Sequence, residues 1–484
     1  MNILNNFFLI LLLISCIFLE GCNNTAKYED ASTFNEGLAS VKLRSLYGFI
    51  DTEKNLVITP TYEEAYPFSN GIALVKKNGL WGAIDKKNNV VIPFNYEEAT
   101  IISDNLLCVK QNNNYGCVDF KGNIIIDFIS QNPILIYTHN NKNIAIITEN
   151  NYQGFIDLDT NFKVEPKYTG VMPFHDNNSY IIYLECNRKF GFVNLDTKTI
   201  VEPKYSNSLS FNDELSPVSI DGKFGYINIK DEIVIEPIYN TATPFYNGLA
   251  NVSLNGKTGC INKTGEIVIP IIYDYIMPFY QDYVTTASID GKVSLINTKG
   301  HLLFEPKFQN IDFNSENDMF PASYLDEDIN IKYAFINKKG EIVLNTDYTG
   351  VSPFHNGLAT VSNLGRYGII TSNGMEIVPP IYDEVYGLDE QGNTFQACLS
   401  GKWGIIDKAQ KEILKCEYDI IETYNNNIYK VSKDGKWGLF NKTSNKLTDI
   451  IYDDIRCSYE NNAPIAVKLD DHWFYINEDG NKIK

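Results

Sequence analysis

The feature that most constrains this chain is a dipeptide, an aromatic residue followed by glycine, that returns at near-constant spacing. It stands at Tyr47-Gly48, Trp81-Gly82, Tyr115-Gly116, Phe190-Gly191, Phe224-Gly225, Tyr367-Gly368, Trp403-Gly404 and Trp437-Gly438. Degenerate copies at Gln153-Gly154, Thr258-Gly259, Val293-Ser294, Tyr333-Ala334 and Trp473-Phe474 fill the gaps. Thirteen copies thus run from position 48 to 474 with a mean period of 35.5 residues and steps of 34 to 40. Self-similarity at a period of roughly 20–50 residues marks a repeat architecture, in which one unit cannot bury its own apolar face and must stack on its neighbours.

Two further positions keep register with the anchor glycine. An aromatic residue follows it by 14 positions in eleven copies, from Tyr62 and Tyr96 to Tyr418 and Tyr452, and the third copy breaks the pattern with Ser130. Phe34, Phe68, Phe211, Phe245, Phe320 and Phe354 precede their glycine position by 14. Behind Pro67-Phe68-Ser69-Asn70-Gly71 comes a short apolar run, then Asn78-Gly79, then Leu80-Trp81-Gly82-Ala83-Ile84-Asp85, which is a β-hairpin signature. Asp or Asn three residues past the anchor, often with Gly three later as at Gly122 and Gly265, predicts a second turn. A third strand such as Ile267-Val268-Ile269-Pro270 follows, and proline is expected to end it because it cannot donate to a ladder.

Each repeat is therefore predicted to be a three-stranded antiparallel meander. In its middle strand Trp81 and Ala83 point one way and Ile84 the other, so both faces need cover. The anchor glycine is expected where a neighbouring ring or backbone comes too close for a Cβ. Trp81, Trp403 and Trp437 are expected to be buried between neighbouring units.

The segments Lys402-Trp403-Gly404-Ile405-Ile406-Asp407 and Lys436-Trp437-Gly438-Leu439-Phe440-Asn441, with the Pro-x-Tyr and Pro-Phe-x-x-Gly-Leu-Ala elements, resemble the WG (KWG) β-repeat family of bacteria. The resemblance covers roughly residues 31 to 484. It implies an all-β tandem array in which Trp81, Gly82, Trp403, Gly404, Trp437 and Gly438 are structural anchors. It implies no activity, since the family is mostly known as repeats of unassigned function, often in exported proteins. An open, curved superhelix is the expected arrangement, with one or two β-propellers as the alternative, because propellers usually have about 4–8 four-stranded blades. The last copy stops at Lys484 before its third strand is complete, and no spare amino-terminal strand is evident to complete it.

Phe7 to Leu19 form 13 uncharged, mostly apolar positions, too few for the ~20 a membrane-spanning helix needs. They read as the core of a signal peptide. The following Leu19-Glu20-Gly21-Cys22 resembles the lipobox of bacterial lipoproteins, which implies that Cys22 is lipidated and becomes the first mature residue. The expected organisation is a signal peptide at 1–21, a lipidated tether at 22–30 and the repeat array at 31–484. The mature protein is then exported and lipid-anchored to the cell envelope, at the outer membrane or cell surface, where ATP and NAD are not available as cofactors.

Composition narrows the chemistry. A formal net charge of −19 opposes binding to phosphate backbones, which removes nucleic acid as a partner. Of nine cysteines, Cys16 leaves with the signal and Cys22 is the lipid site, and the other seven have neither a CxxC nor the spacing of a zinc site. Cys117 and Cys260 occupy the slot that holds Phe49 and Phe155 elsewhere, and read as core residues. Asn255-Gly256-Lys257-Thr258-Gly259 is a copy of the hairpin turn rather than a phosphate loop. The segments starting at Asp157 and Asp326 imitate a calcium loop but lack its glycine and its closing glutamate.

His175 and His355 share one turn slot, and His139, His301 and His472 have no partners at matching spacing. Glu165, Glu202, Glu236 and Glu305 recur before proline, where a structural or solvated role is expected, although a facing pair at glycosidase distance is the one enzymatic alternative. No catalytic residue, metal site or cofactor is assigned. The expected function is a non-enzymatic, envelope-anchored scaffold for protein or glycan ligands, with a structural envelope component or a glycan hydrolase as alternatives.

Overall fold

Asn78 and Gly79 both take positive φ, 54° and 77°, and join strand Ile72–Lys77 to strand Leu80–Asp85 through a two-residue turn. Turns of this kind match the right-handed twist of the strands they connect. The computed structural model describes residues 28–483 except 140–141, 177–178, 208, 281–282, 314–317, 389–392, 426, 459 and 461–462. The expected signal peptide and Cys22 lie outside the described residues. Every described element is a strand, and the strands form thirteen antiparallel sheets, ten of four strands and three of three. The chain divides into two compact units, Met1–Phe128 with Glu417–Lys484, and Ile129–Cys416.

Most blades hold one strand more than the sequence suggests. Glu64–Ala65 pairs with Ile72–Lys77 through Glu64↔Lys76 and Ala65↔Val75, ahead of Leu80–Asp85 and Val90–Tyr96. A strand of two residues is too short to display alternation, so hydrophobic periodicity could not reveal it.

Proline also behaves differently from expectation. Strand Val90–Tyr96 runs through Pro93 to the tyrosine, with Ala83 opposite Ile92 and Trp81 opposite Tyr96, so Gly82 alone faces the three bulged residues between. Proline is tolerated at a bulge because no ladder donor is needed there. A Cβ on Gly82 would lie 2.6 Å from the Ile92 carbonyl oxygen and 2.9 Å from Phe94 Cδ1. The close approach that demands glycine thus comes from the last strand of the same blade. Gly48 and Gly191 meet the same crowding, 2.3 Å from the Ile58 oxygen and 2.2 Å from the Val201 oxygen.

The two faces of the middle strand feed different cores. Trp81, Ala83 and Ile92 pack with Leu107, Val109 and Val118 of the following blade, while Ile84 packs with Phe49, Ile58 and Phe68. The Phe that precedes an anchor position by 14 enters the slot beside the preceding blade's anchor at Phe68, Phe211 and Phe245. Phe68 meets Phe49 at 4.8 Å between ring centroids, Phe211 meets Phe192 at 4.9 Å and Phe245 meets Tyr226 at 4.8 Å. Each fully buried Phe contributes about 1.5–3 kcal/mol by leaving water. Ser130, the break in the tyrosine series, is fully buried, and its hydroxyl donates to the Asn132 carbonyl at 2.7 Å and accepts from the Thr148 amide at 3.0 Å.

In the unit that contains both chain ends, the last blade packs on the first. Tyr28 and Trp473 exchange both backbone hydrogen bonds at 2.9 Å, and Phe34 meets Tyr475 at 5.0 Å between centroids. Ala31, Phe34, Val41, Ala466, Trp473 and Tyr475 share one core cluster. Arg456 donates to Asp30 at 2.8 Å, and the Ser458 hydroxyl donates to the Phe34 carbonyl at 2.6 Å. An open superhelix would leave its end repeats without a common core, so that expectation is corrected in favour of propeller-type closure. The reason lies at Tyr28, which faces Trp473 of the last blade as Tyr452 faces Trp437. Tyr28, grouped with the tether on sequence, is therefore part of the packed structure.

Candidate binding surface

The hairpin geometry sets where each anchor ring goes. Trp81, one residue beyond the strand start, is 7% exposed, stacks on Tyr66 at 5.3 Å and carries the Lys76 ammonium at 5.6 Å. Trp403 and Trp437 are only half-buried, which corrects the expectation that all three are enclosed between units. Trp403 stacks on Tyr386 at 6.0 Å, and Trp437 lies under the Lys430 ammonium at 4.7 Å. These rings cover their own sheet near the hairpin end, where water reaches one edge. A Cβ on Gly404 would meet the Leu414 oxygen at 2.7 Å, whereas at Gly438 the nearest atoms are Ile450 Cγ1 at 3.0 Å and the Asp449 oxygen at 3.2 Å.

The lysine before the anchor ties blade to blade. Lys257 pairs with Asp274 at 2.6 Å, and Asp274 accepts from the Gly291 amide at 3.1 Å, at the hairpin turn of the next sheet. Lys436, Asp453 and the Asp470 amide repeat the arrangement. The lysine hydrogen bonds hold both carboxyls below the usual carboxylate range and raise both lysines. These groups face water, so the pairs add specificity of docking more than stability.

The other candidate chemistries resolve into turns and surface pairs. Asp85 Oδ1 accepts from the Lys87 amide at 2.9 Å and the Asn89 amide at 2.8 Å. Asp326 Oδ1 does the same with Asp328 and Asn330, and Asp157 Oδ1 accepts from Asp159, so both calcium-like segments are Asx turns. Asn255 and Gly256 form a hairpin turn with positive φ. His355 is an exposed turn residue, whereas the backbone of His175 lies inside the continuous strand Gly170–Asp176. Glu165, Glu202, Glu236 and Glu305 are exposed. Glu202 accepts from Lys167 at 2.7 Å and from the Tyr168 hydroxyl at 3.1 Å, and the Lys167 hydrogen bond keeps its carboxyl low. A general acid needs the opposite shift. Among the described residues no group of three or more His, Cys, Asp or Glu is placed to hold a metal ion.

The repeat assignment is settled by comparison with family models. The WG containing repeat model matches residues 25–47, 47–81, 81–115, 154–184, 190–224, 224–257, 259–292, 294–323, 333–367, 367–403 and 403–437. The chain belongs to the WG containing repeat family. Comparison with curated proteins finds no match. Among solved structures, the extracellular domain of a protein described as a hybrid two component system from B. thetaiotaomicron is similar at 9% identity and a TM-score of 0.22, over 93% of this chain and 81% of that one. Kluyveromyces lactis Hsv2p is similar at 11% identity and a TM-score of 0.26, over 47% of this chain and 89% of that one. At TM-scores this low nothing about these proteins carries over.

Several tyrosines of the unit Ile129–Cys416 depart from the rule that aromatic rings go inward, and one stretch gathers them. Tyr275, Met277, Tyr280 and Tyr283 are 53%, 41%, 57% and 77% exposed. The Tyr280 ring meets Tyr246, from the preceding Pro-Phe turn, edge to face at 4.6 Å. The Asn247 side chain donates to the Phe279 carbonyl at 2.9 Å and holds the two turns together. Sequence reasoning missed this feature although Pro278-Phe279-Tyr280 repeats Pro244-Phe245-Tyr246, because spacing alone does not tell a ring that faces water from one that faces the core.

Proposed function

We propose that this WG-repeat protein is an exported scaffold, anchored to the envelope through lipid on Cys22, that binds a protein or glycan ligand without transforming it. The observation that carries the reading is the exposed group of Tyr275, Met277, Tyr280 and Tyr283, with the half-buried Tyr246 against Tyr280. Tyrosine rings give large, rigid contact area with a polar tip at little entropic cost, which suits both sugar faces and protein side chains. Exposed aromatic groups on an otherwise acidic surface mark interaction sites. The exposed, low-pKa Glu202 supports binding over glycan hydrolysis, because a glycosidase acid must stay protonated near neutral pH.

The test is binding of the purified mature chain to a glycan array and to defined envelope proteins, alongside the double variant Tyr280→Ala, Tyr283→Ala. Retention of a ligand by the wild type, with loss of at least roughly tenfold in affinity in the variant, supports the reading, since hot-spot tyrosines commonly carry more than about 1.4 kcal/mol. Equal binding by the variant, or turnover of a glycan, would overturn it.

A further inference from the structure

We propose that Cys108 and Cys117 form a disulfide across one blade when the chain folds in an oxidising compartment. Strands Leu106–Gln111 and Asn114–Asp119 form a hairpin in which Cys108 is the direct partner of Cys117. The turn residues Asn112 and Asn113 have φ of 51° and 68°, which fixes a two-residue loop flanked by the pair Gln111↔Asn114. That flanking pair exchanges backbone hydrogen bonds, and such pairs alternate along an antiparallel ladder. Val109↔Gly116 is then hydrogen-bonded, and Cys108↔Cys117 is not.

Non-hydrogen-bonded partners bring their Cα atoms to about 4.5 Å with both side chains on one face. That lies inside the roughly 4.4–6.8 Å span that disulfides bridge. Both residues are buried, 5% and 0% exposed, so the two sulfurs sit together in the slot that other blades fill with Phe49 or Phe192. The hydrogen bond with Cys108, together with burial, pushes the Cys117 thiol well above its usual range, the mark of two sulfurs in contact.

The pairing is specific to this blade. Cys260 occupies the same slot as Cys117, but its partner is Asn251, whose side-chain oxygen accepts from the thiol at 3.2 Å. Cys186 faces Lys189, and Cys398 faces Trp403.

The oxidant is a small-molecule or protein disulfide, R–S–S–R, acting while the hairpin is formed but not yet covered by its neighbours. The Cys108 thiolate attacks one sulfur and expels RS⁻. The Cys117 thiolate then attacks the Cys108 sulfur of the mixed disulfide and expels the second RS⁻, and the two thiol protons end on the released RSH molecules. The inference does not depend on what the surface binds.

The mature chain, reduced and unfolded in denaturant, is refolded in a mixture of oxidised and reduced glutathione, quenched, denatured and alkylated without reductant. Expected is loss of alkylation confined to Cys108 and Cys117, a peptide pair linked through them, and a mass lower by two hydrogen atoms. Alkylation of both residues after refolding, or linkage to any other cysteine, would overturn the proposal. In a parallel refolding of Cys117→Ala, Cys108 should become alkylatable, while Cys260→Ala should leave the linked pair intact. If Cys117→Ala fails to fold, the wild-type peptide map still decides.

Discussion

Tyr28 stands opposite Trp473 as Tyr452 stands opposite Trp437 and Tyr96 opposite Trp81. Tyr28, from the segment before the first anchor, thereby takes in the last blade the place that Tyr96 takes in its own. Phe34 on Tyr475 likewise repeats Phe68 on Phe49. Tyr28→Ala should cost about 3–5 kcal/mol, the usual range for a large buried side chain. Hydrogen exchange should show the loss concentrated in residues 28–51 and 454–476. Uniform loss over the whole chain would mean that Tyr28 acts on something other than this seam.

The anchor glycines should differ in their tolerance of a methyl group. Gly82→Ala places a Cβ 2.6 Å from a backbone oxygen, and overpacking of that kind costs about 1–3 kcal/mol. Gly438→Ala meets its nearest neighbour at 3.0 Å and should cost less than half as much. Urea midpoints of the two variants check the order, and equal midpoints would refute the role assigned to the bulge.

Acid should open the seam. Burial raises the Asp30 carboxyl, but the Tyr47 hydroxyl at 2.7 Å and the Arg456 charge outweigh it and hold the group below the usual carboxylate range. A carboxyl lowered in the folded state stabilises fully above its unfolded value of about 3.9, and that contribution disappears as pH falls through the folded value. Protection of residues 28–34 should therefore decline from about pH 5 downward. Asp30→Asn should already be weaker at neutral pH and should show a flatter decline.

Lipid attachment has a direct readout. Cys22→Ala should leave an unprocessed precursor or move the protein from the membrane to the soluble fraction, with loss of metabolic lipid labelling. Unchanged fractionation and labelling would exclude the anchor. One acyl chain holds only weakly, so the stable attachment expected for the wild type requires more than one.

Much of the blade was legible because its positions recur. Phe68, Ile84 and Tyr96 announce their burial by spacing alone, and Asn78-Gly79 announces its turn by chemistry. Three features were hidden for physical reasons. Glu64–Ala65 is too short to alternate, Pro93 sits in a bulge where the rule against proline in strands lapses, and closure depends on a residue before the first anchor. Tyr28 precedes Gly48 by 20 residues, as Tyr62 precedes Gly82, so extending the period backward would have found it. Tyr280 repeats Tyr246 at a spacing of 34 residues, yet a sequence cannot separate a ring held out to water from one turned inward.

The seam at Tyr28 and Trp473 repeats the pairing of Tyr96 with Trp81 inside the chain, so nothing in its contacts marks it as a start or an end. The first and last described residues, Tyr28 and Ile483, both bond the strand that holds Trp473 and Tyr475, so a short linker could join them and new ends could be cut at another hairpin turn. The same equivalence bears on how such genes change length. Gain or loss of one whole repeat keeps the tyrosine slot facing the anchor slot, as Tyr62 faces Tyr47 and Tyr205 faces Phe190, whereas gain of part of a repeat does not.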